Sequence, residues 1–146
     1  MPKTVRDIVV DRKQIYRISN QATVAEAARY LKEQGIRAAG VCNLSGKVVG
    51  VLSQSDISDK VAAENYRPSE VKVQAITTTT LVKVTPDATC QEAARLMNSK
   101  GIYHLIVEEA DGTFLGMISL RDCTHARAED ERERAEMYQD YAFPRY

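Results

Sequence analysis

The sequence predicts an α+β fold built from two similar halves, and three observations support this prediction. Residues 23–57 align with residues 89–123 without a gap, 66 positions apart. In both segments, apolar residues at helical spacing are followed by two apolar runs that a glycine-containing turn separates. After the second copy, residues 126–138 form a charged run that is typical of a solvated helix. A duplicated strand-and-helix unit followed by a C-terminal helix accounts for all three observations.

Each copy is predicted as strand, helix, strand, strand and helix. In the first copy, Thr23 and Glu26 form a capping box, and Gly35 ends the helix that follows. The other predicted elements are a lead strand over 14–18, strands over 38–42 and 47–52, a hairpin turn over 43–46, and a second helix from Ser53 to about Asn65.

The second copy repeats this scheme with its own start and stop signals. Thr89 and Glu92 form the capping box, and Gly101 ends the helix. Its lead strand is predicted over 81–84 and its hairpin turn over 109–112. Short helical turns are predicted before the copies, over 5–9 and 69–75. No Gly/Ser-rich linker separates the halves, so we expect them to pack directly on each other.

Composition and charge exclude several classes of protein. The chain has 20 basic and 20 acidic residues, so no net charge attracts nucleic acid or an anionic membrane. Trp is absent and Phe occurs twice, which disfavours an aromatic platform for single-stranded nucleic acid. No segment reads as a secretory signal or approaches the roughly 20 apolar residues of a membrane span. We therefore expect a cytoplasmic protein without a nucleic-acid or membrane partner.

The sequence also disfavours catalysis and metal binding. Cys42, Cys90 and Cys123 are odd in number and widely spaced, which favours buried inert thiols over disulfides or a zinc site. His104 and His125 have no Cys or carboxylate at metal-ligand spacing, and no glycine-rich nucleotide loop of the Walker or GxGxxG type occurs. We expect no metal, no required cofactor and no enzymatic activity.

The most specific motif is Gly-x-x-Ser-x-x-Asp, which occurs at residues 50–56 and again at 116–122. In each copy an apolar strand ends at the Ser and a helix begins, so free backbone N–H groups can face a phosphate. The carboxylates of Asp56 and Asp122 can accept hydrogen bonds from the two hydroxyls of a ribose. The same spacing is also typical of a plain capping box, which remains the alternative interpretation.

Three basic side chains occur at strand or helix ends near this motif. Arg37 follows the Gly-Ile that closes the first helix, and His104 lies one position later in the second copy. Arg121 precedes Asp122, where the first copy has the neutral Ser55. These side chains are candidates for phosphate contacts; the alternative is two solvated or ion-paired arginines and a structural histidine.

With these motifs, the chain resembles the cystathionine β-synthase (CBS) domain pair, or Bateman module. The features shared with this family are the tandem strand-helix-strand-strand-helix repeats, the Gly-Ile after the first helix of each copy, and the Ser-x-x-Asp junction. The resemblance covers roughly residues 4–125. It implies repeats over 4–66 and 67–125, a C-terminal helix and tail over 126–146, and packing of the repeats across a pseudo-twofold axis.

The resemblance also implies a ligand and its contacts. Clefts between the repeats would bind an adenosine-containing ligand such as AMP, ADP, ATP, NAD or S-adenosylmethionine. Asp56 and Asp122 would hold ribose hydroxyls, with Ser53 and Ser119 beside ribose and phosphate. Phosphates would face Arg37, His104 and Arg121, while Ser55 would weaken phosphate binding at the first site. The adenine would be flanked by Val10, Ile15, Ile76 and Leu81.

From these motifs and from what the resemblance implies, we predict a regulatory sensor that binds an adenosyl ligand, forms a homodimer and modulates a partner protein. An alternative is a structural or interaction module with unoccupied clefts, which acts through dimerisation and its C-terminal helix. The tail holds an apolar cluster for such a contact, at Met137, Tyr138, Tyr141 and Phe143. A third hypothesis, nucleotide hydrolysis, has no nucleophile with a base to support it.

Overall fold

The computed structural model describes residues 2–12 and 15–142, with side chains up to residue 139. The described strands are β1 Arg17–Ser19, β2 Ala38–Cys42, β3 Val48–Ser53, β4 Lys83–Val84, β5 His104–Glu108 and β6 Phe114–Ser119. The described α-helices are α1 Val5–Val10, α2 Val24–Gln34, α3 Gln54–Ile57, α4 Cys90–Lys100 and α5 Leu120–Ala142. This is the predicted α+β fold with a C-terminal helix.

The strands form two three-stranded sheets with the same topology. In each sheet the first strand pairs in parallel with the second, and the second pairs antiparallel with the third. The register of the hairpins also repeats, because a β-bulge lies between Val41 and Cys42 in one and between Val107 and Glu108 in the other. The duplication in the sequence is therefore a duplication of strand pairing.

The chain divides into two compact units. One unit contains residues 14–82 and is called the β1–β3 unit here; the other contains residues 1–13 and 83–146 and is called the β4–β6 unit. The N-terminal helix α1 thus belongs with the second sheet. Its start is held there by backbone hydrogen bonds from Val5 N–H to Ala88 O and from Arg6 N–H to Pro86 O, both 2.9 Å long.

Each unit has its own apolar core, in which one face of a helix packs on the sheet. In the β1–β3 unit, α2 buries Val24, Ala27 and Leu31. In the β4–β6 unit, α4 buries a corresponding face with Ala93, Ala94 and Met97. Both helices begin at a Thr whose side chain accepts the N–H three residues later, which is one half of each predicted capping box. Among the described hydrogen bonds, the other half, from the Thr N–H to the Glu side chain, is absent in both helices.

Some predicted elements differ from the structure. Residues 69–75 do not form one helical turn but two 3₁₀ turns, Pro68–Glu70 and Val73–Ala75. The reason is tertiary: Val73 N–H donates to Ala22 O at 2.8 Å, which keeps residues 71–72 extended beside the start of α2. The second helix of the first copy also changes character, because α3 continues as a π-helical turn over Ser58–Ala62 that buries Val61.

The two lead strands are shorter than predicted. The first begins at Arg17, and Gln14 of its predicted range lies outside the described residues. The second contains only Lys83 and Val84, which pair with Ile106 and Val107. The predicted tail helix is confirmed, since α5 includes all of residues 126–138. Phe143 of the apolar tail cluster lies outside the described residues, as does the side chain of Tyr141.

Candidate functional site

The Ser-x-x-Asp junction has the same geometry in both units. In the β1–β3 unit, Ser53 N–H donates to Asp56 Oδ2 at 2.9 Å, and Asp56 N–H donates to Ser53 Oγ at 3.2 Å. In the β4–β6 unit, Ser119 N–H donates to Asp122 Oδ2 at 2.8 Å, and Asp122 N–H donates to Ser119 Oγ at 3.0 Å. The capping-box interpretation is therefore confirmed as local geometry, and it holds each carboxylate in a defined place at the start of a helix.

Each carboxylate also pairs with a cation, but the two cations come from different places. Asp56 Oδ1 accepts from Lys60, one turn later in the chain, at 3.1 Å. Asp122 Oδ2 instead accepts from the guanidinium of Arg12 at 2.7 Å, across 110 positions of sequence. No hydrogen bond or ion pair with the described residues reaches Asp122 Oδ1. That oxygen is available to accept a ligand hydroxyl.

In the β1–β3 unit, several predicted site residues lie around the start of α3. The backbone carbonyl of Arg37 accepts from Gln54 N–H at 2.9 Å, so Arg37 is fixed beside the helix start while its side chain is exposed. The hydroxyls of Ser53 and Ser55 lie 2.9 Å apart. Arg37, Ser53, Ser55 and Asp56 thus lie around the same helix start, and their contacts with a nucleotide remain a prediction.

The segment after Ile76 packs directly on strand β3. Val51 and Thr78 exchange backbone hydrogen bonds of 3.0 and 3.1 Å, and Lys60 donates to Ile76 O at 3.0 Å. Gly50 is required at this approach, because a Cβ there would lie 2.1 Å from Thr77 Cγ2 and 2.7 Å from Thr78 O. These contacts place Ile76 close to the helix start, although its side chain is 94% buried and presents little surface to a ligand.

The remaining apolar candidates are less closely tied to the two junctions. Ile15 precedes β1 and is 39% exposed, and Leu81 lies half-buried before β4. Val10 ends α1 in the β4–β6 unit and is 70% exposed. Their proposed contact with an adenine ring remains a prediction.

His104 lies beside the junction of the β4–β6 unit. It opens β5 and is paired in register with Ser119, the last residue of β6. Burial lowers the pKa of His104 below its ordinary value of 6.5, while the nearby carboxylate of Asp122 acts in the opposite direction. The imidazole is therefore neutral at pH 7 and can offer one N–H to a ligand. Arg121 is exposed on the first turn of α5.

Arg12 lies at the junction of the β4–β6 unit, and the sequence analysis did not name it. Besides Asp122, its guanidinium donates to the backbone carbonyl of Met117 in β6. The offset of 66 places Arg12 at the position of Thr78 and Met117 at that of Val51, which pair in the other unit. Extending the offset of 66 beyond the aligned segments could therefore have indicated that Arg12 lies beside β6. The alignment itself begins at Thr23, after Arg12.

The cysteines show no sign of nucleophilic chemistry. All three thiols are buried, and burial raises the pKa of Cys42 and of Cys90. The pKa of Cys123 is raised to about 12, again mainly by burial. The described residues contain no group of three or more His, Cys, Asp or Glu side chains that could hold a metal ion. Among the helices described, none is long and apolar enough to cross a membrane.

The chain belongs to the CBS domain family. The family model of the CBS domain matches residues 5–63 and, separately, residues 73–129, so the chain contains two CBS domains. An uncharacterized protein of Methanopyrus kandleri is 27% identical over 113 residues, which is 77% of this chain and 58% of that protein. An uncharacterized 17.7 kDa protein of Acidianus ambivalens is 30% identical over 112 residues, 77% of this chain and 66% of that protein. The chain therefore spans less than two thirds of these relatives.

Solved structures share the fold over most of the chain. A putative signal-transduction protein with CBS domains from Burkholderia ambifaria has a TM-score of 0.80 at 25% identity, covering 88% of this chain and 96% of that one. A CBS domain protein from Pyrobaculum aerophilum complexed with AMP has a TM-score of 0.73 at 21% identity, covering 82% and 88%. A CBS domain pair in complex with 5′-methylthioadenosine and S-adenosyl-L-methionine has a TM-score of 0.77 at 19% identity, covering 89% and 99%. At 21% and 19% identity, the last two show the fold alone.

Proposed function

We propose that this protein is a cytoplasmic regulatory module that binds an adenosine-containing ligand at its Ser-x-x-Asp junctions. The observation that carries the proposal is the junction itself, built twice with the same hydrogen bonds and a half-buried carboxylate. The side chains of Asp56 and Asp122 are 14% and 34% exposed, so each is partly desolvated but within reach of a ligand. Hydrogen bonds from ribose hydroxyls to such a carboxylate are charge-assisted and therefore strong.

The surroundings of each carboxylate suit a nucleotide. Arg37 and Lys60 in one unit, and Arg12 and Arg121 in the other, supply positive charge near a helix start whose N–H groups also favour an anion. Fold relatives bind AMP, 5′-methylthioadenosine and S-adenosylmethionine, which all contain adenosine. We propose the same ligand class here, acting as a regulatory ligand and not as a cofactor.

Regulation would follow from a shift in population. A ligand that binds one conformation of the protein more tightly than another favours that conformation, and a partner protein that recognises it responds. The partner is part of the proposal, as is the homodimer. No catalytic step is proposed, because the candidate groups at the junctions bind and orient without a nucleophile and base.

Calorimetric titration with AMP tests the proposal through matched substitutions. Asp56→Asn and Asp122→Asn each keep an oxygen that can accept the capping N–H but lose the charge. Hydrogen bonds to charged groups contribute about 1.5–3 kcal/mol against about 0.5–1.5 kcal/mol for neutral pairs, so we expect AMP to bind at least about tenfold more weakly at the altered junction.

Asp7→Asn is the control, because Asp7 forms the same capping box with Thr4 on α1, with Thr4 N–H donating to Asp7 Oδ2 at 2.8 Å. It should leave AMP affinity unchanged. If both junction variants bind AMP as the parent does, or if the parent binds no adenosyl ligand, the proposal is wrong.

A second candidate, an interaction module without a ligand, is favoured by one observation. Both carboxylates already have intramolecular partners, while Met137 and Tyr138 on α5 are 72% and 70% exposed. A thermal-shift screen separates the two, since a ligand that binds the native state must raise the unfolding temperature. A null result with AMP, ADP, ATP, NAD and S-adenosylmethionine would favour the interaction module.

A further inference from the structure

The two junctions differ in how their carboxylates are neutralised. Lys60 lies on the helical turn that follows Asp56 and contacts Oδ1, whereas Arg12 reaches Asp122 from beyond the end of α1 and shares Oδ2 with the capping N–H. Lys60 is also held by the carbonyl of Ile76 at 3.0 Å. Arg12 is thus the cation that comes from outside the repeated motif.

The two junctions also differ in what contacts the third strand of the sheet. In the β1–β3 unit, the backbone of Thr78 pairs with Val51, and the chain passes so close that Gly50 has no room for a Cβ. In the β4–β6 unit, the equivalent carbonyl, of Met117, is contacted by the Arg12 side chain. No described atom lies within 4 Å of a Cβ built at Gly116. A flexible side chain here takes the place of a fixed backbone pairing.

A ligand that binds Asp122 will therefore contact or displace the guanidinium of Arg12. The Arg12 and Asp122 side chains are 32% and 34% exposed, so the pair is accessible and only partly desolvated. A neutral nucleoside whose two ribose hydroxyls bind both carboxylate oxygens would displace the guanidinium from Oδ2 and leave it without its anionic partner, which is unfavourable. A phosphate-bearing ligand would supply a new anion, which a guanidinium can bind in bidentate fashion.

We propose that Arg12 is a specificity-determining residue of the junction at Asp122: it disfavours neutral nucleosides and favours adenosyl ligands that carry a phosphate. The proposal rests on the proposed function, since it assigns selectivity to the same carboxylate. The guanidinium exchanges Asp122 for the ligand's phosphate, so its contribution has opposite signs for the two ligand types.

The experiment measures the affinities of AMP and adenosine by calorimetry with the full chain. Asp56→Asn is used as the background, so that the junction at Asp122 dominates the signal. In this parent, AMP should bind more tightly than adenosine. Arg12→Ala should lower the ratio of AMP affinity to adenosine affinity by about tenfold or more, with AMP binding weakened and adenosine binding strengthened. Arg12→Gln, which keeps a donor for the Met117 carbonyl without the charge, should do the same.

Arg6→Ala is the matched control, because it removes an arginine of α1 that pairs with Asp87 at 3.5 Å and Glu109 at 3.1 Å, away from Asp122. It should leave the ratio unchanged. If AMP and adenosine both bind the parent and the ratio stays within twofold in Arg12→Ala and Arg12→Gln, the role of Arg12 is wrong while the proposed function stands. If the Asp56→Asn parent binds neither AMP nor adenosine while the wild type binds an adenosyl ligand, the role of Arg12 is wrong and the proposed function stands. If the wild type binds no adenosyl ligand, both proposals are wrong.

Discussion

At the scale of single residues, Gly50 and Gly116 show how one repeated residue can serve different packing. A Cβ at Gly50 would overlap Thr77 and Thr78, whereas one at Gly116 would meet no described atom within 4 Å. The alignment alone treats the two glycines as equivalent. The structure shows that the close approach of backbone to strand occurs in one unit, and that a side-chain contact from Arg12 occurs in the other.

His104 should make stability depend on pH. Because burial lowers its pKa in the native state, the unfolded chain binds more protons between the native pKa and 6.5. Above pH 6.5 the imidazole is neutral in both states and its contribution to stability is fully present; it is lost as the pH falls through the native pKa. We expect the unfolding free energy from urea titrations to fall as the pH is lowered below 6.5, and to fall less in His104→Gln.

His125→Gln provides the comparison for this titration. His125 lies on α5 with its side chain 75% exposed and pairs with Glu129 at 3.1 Å. Replacing it should leave the decline below pH 6.5 in place. An identical decline in the wild type and in His104→Gln would show that another group is responsible.

At the scale of elements, α2 and α4 are stopped by the same local structure. Gly35 has φ 65° and ψ 31°, and Gly101 has φ 65° and ψ 32°, so both end their helix in the left-handed conformation. In both cases a Cβ would find open space. The cost of a side chain should therefore come from the backbone conformation alone.

We expect Gly35→Ala and Gly101→Ala to lower the unfolding free energy by the same amount, about 1–2 kcal/mol, because a left-handed residue with a Cβ is strained. Urea denaturation measures both. Asn tolerates this conformation better, so Gly35→Asn and Gly101→Asn should cost less than the alanine variants. A difference between the two alanine variants of more than about 1 kcal/mol would mean that the two stops are not equivalent.

Predictions at this scale were accurate where the determinants are local. The starts and stops of α2 and α4 follow from Thr caps and glycines that act within a few residues. The turn over residues 69–75 was predicted less well, because the hydrogen bond from Val73 to Ala22 competes with a continuous helical turn. A hydrogen bond between residues that are about fifty positions apart cannot be predicted from the pattern of neighbouring residues.

At the scale of the whole molecule, one compact unit is the continuous stretch 14–82, whereas the other is discontinuous in sequence, because α1 packs with residues 83–146. The repeat boundaries at 4–66 and 67–125 describe the duplication and remain a prediction. The last helix is anchored near its middle, where Lys3 pairs with Glu129 at 3.2 Å and Lys3 N–H donates to Asp130 at 2.8 Å. Residues 131–139 beyond this anchor are exposed.

We expect the full chain to be a homodimer, with twice the 16.3 kDa mass of one chain, and the exposed Met137 and Tyr138 to contribute to the contact. The double variant Met137→Ser, Tyr138→Ser should dissociate at higher protein concentration than the wild type. Light scattering over a micromolar dilution series measures this.

Leu44→Ser removes an apolar side chain that is 88% exposed on the turn between β2 and β3, and it should not change the dissociation of the dimer. A monomeric mass for the wild type at micromolar concentration would contradict the dimer. A dimer that dissociates equally in the wild type and the double variant would place the contact elsewhere than on α5.

The sequence by itself determined the duplication, which the gapless alignment of residues 23–57 with 89–123 shows directly. It also determined the helix caps, the hairpin turns and the placing of Asp56 and Asp122 at helix starts, because these features depend on residues that are close together in sequence. Only the tertiary structure decided that α1 joins the second sheet and that Arg12, 110 positions away, pairs with Asp122. The physical reason is that distant partners are chosen by the surfaces that remain open after the local elements have formed. At Val51 the edge of strand β3 pairs with the backbone of Thr78, whereas at the equivalent Met117 the edge of β6 is contacted by the side chain of Arg12.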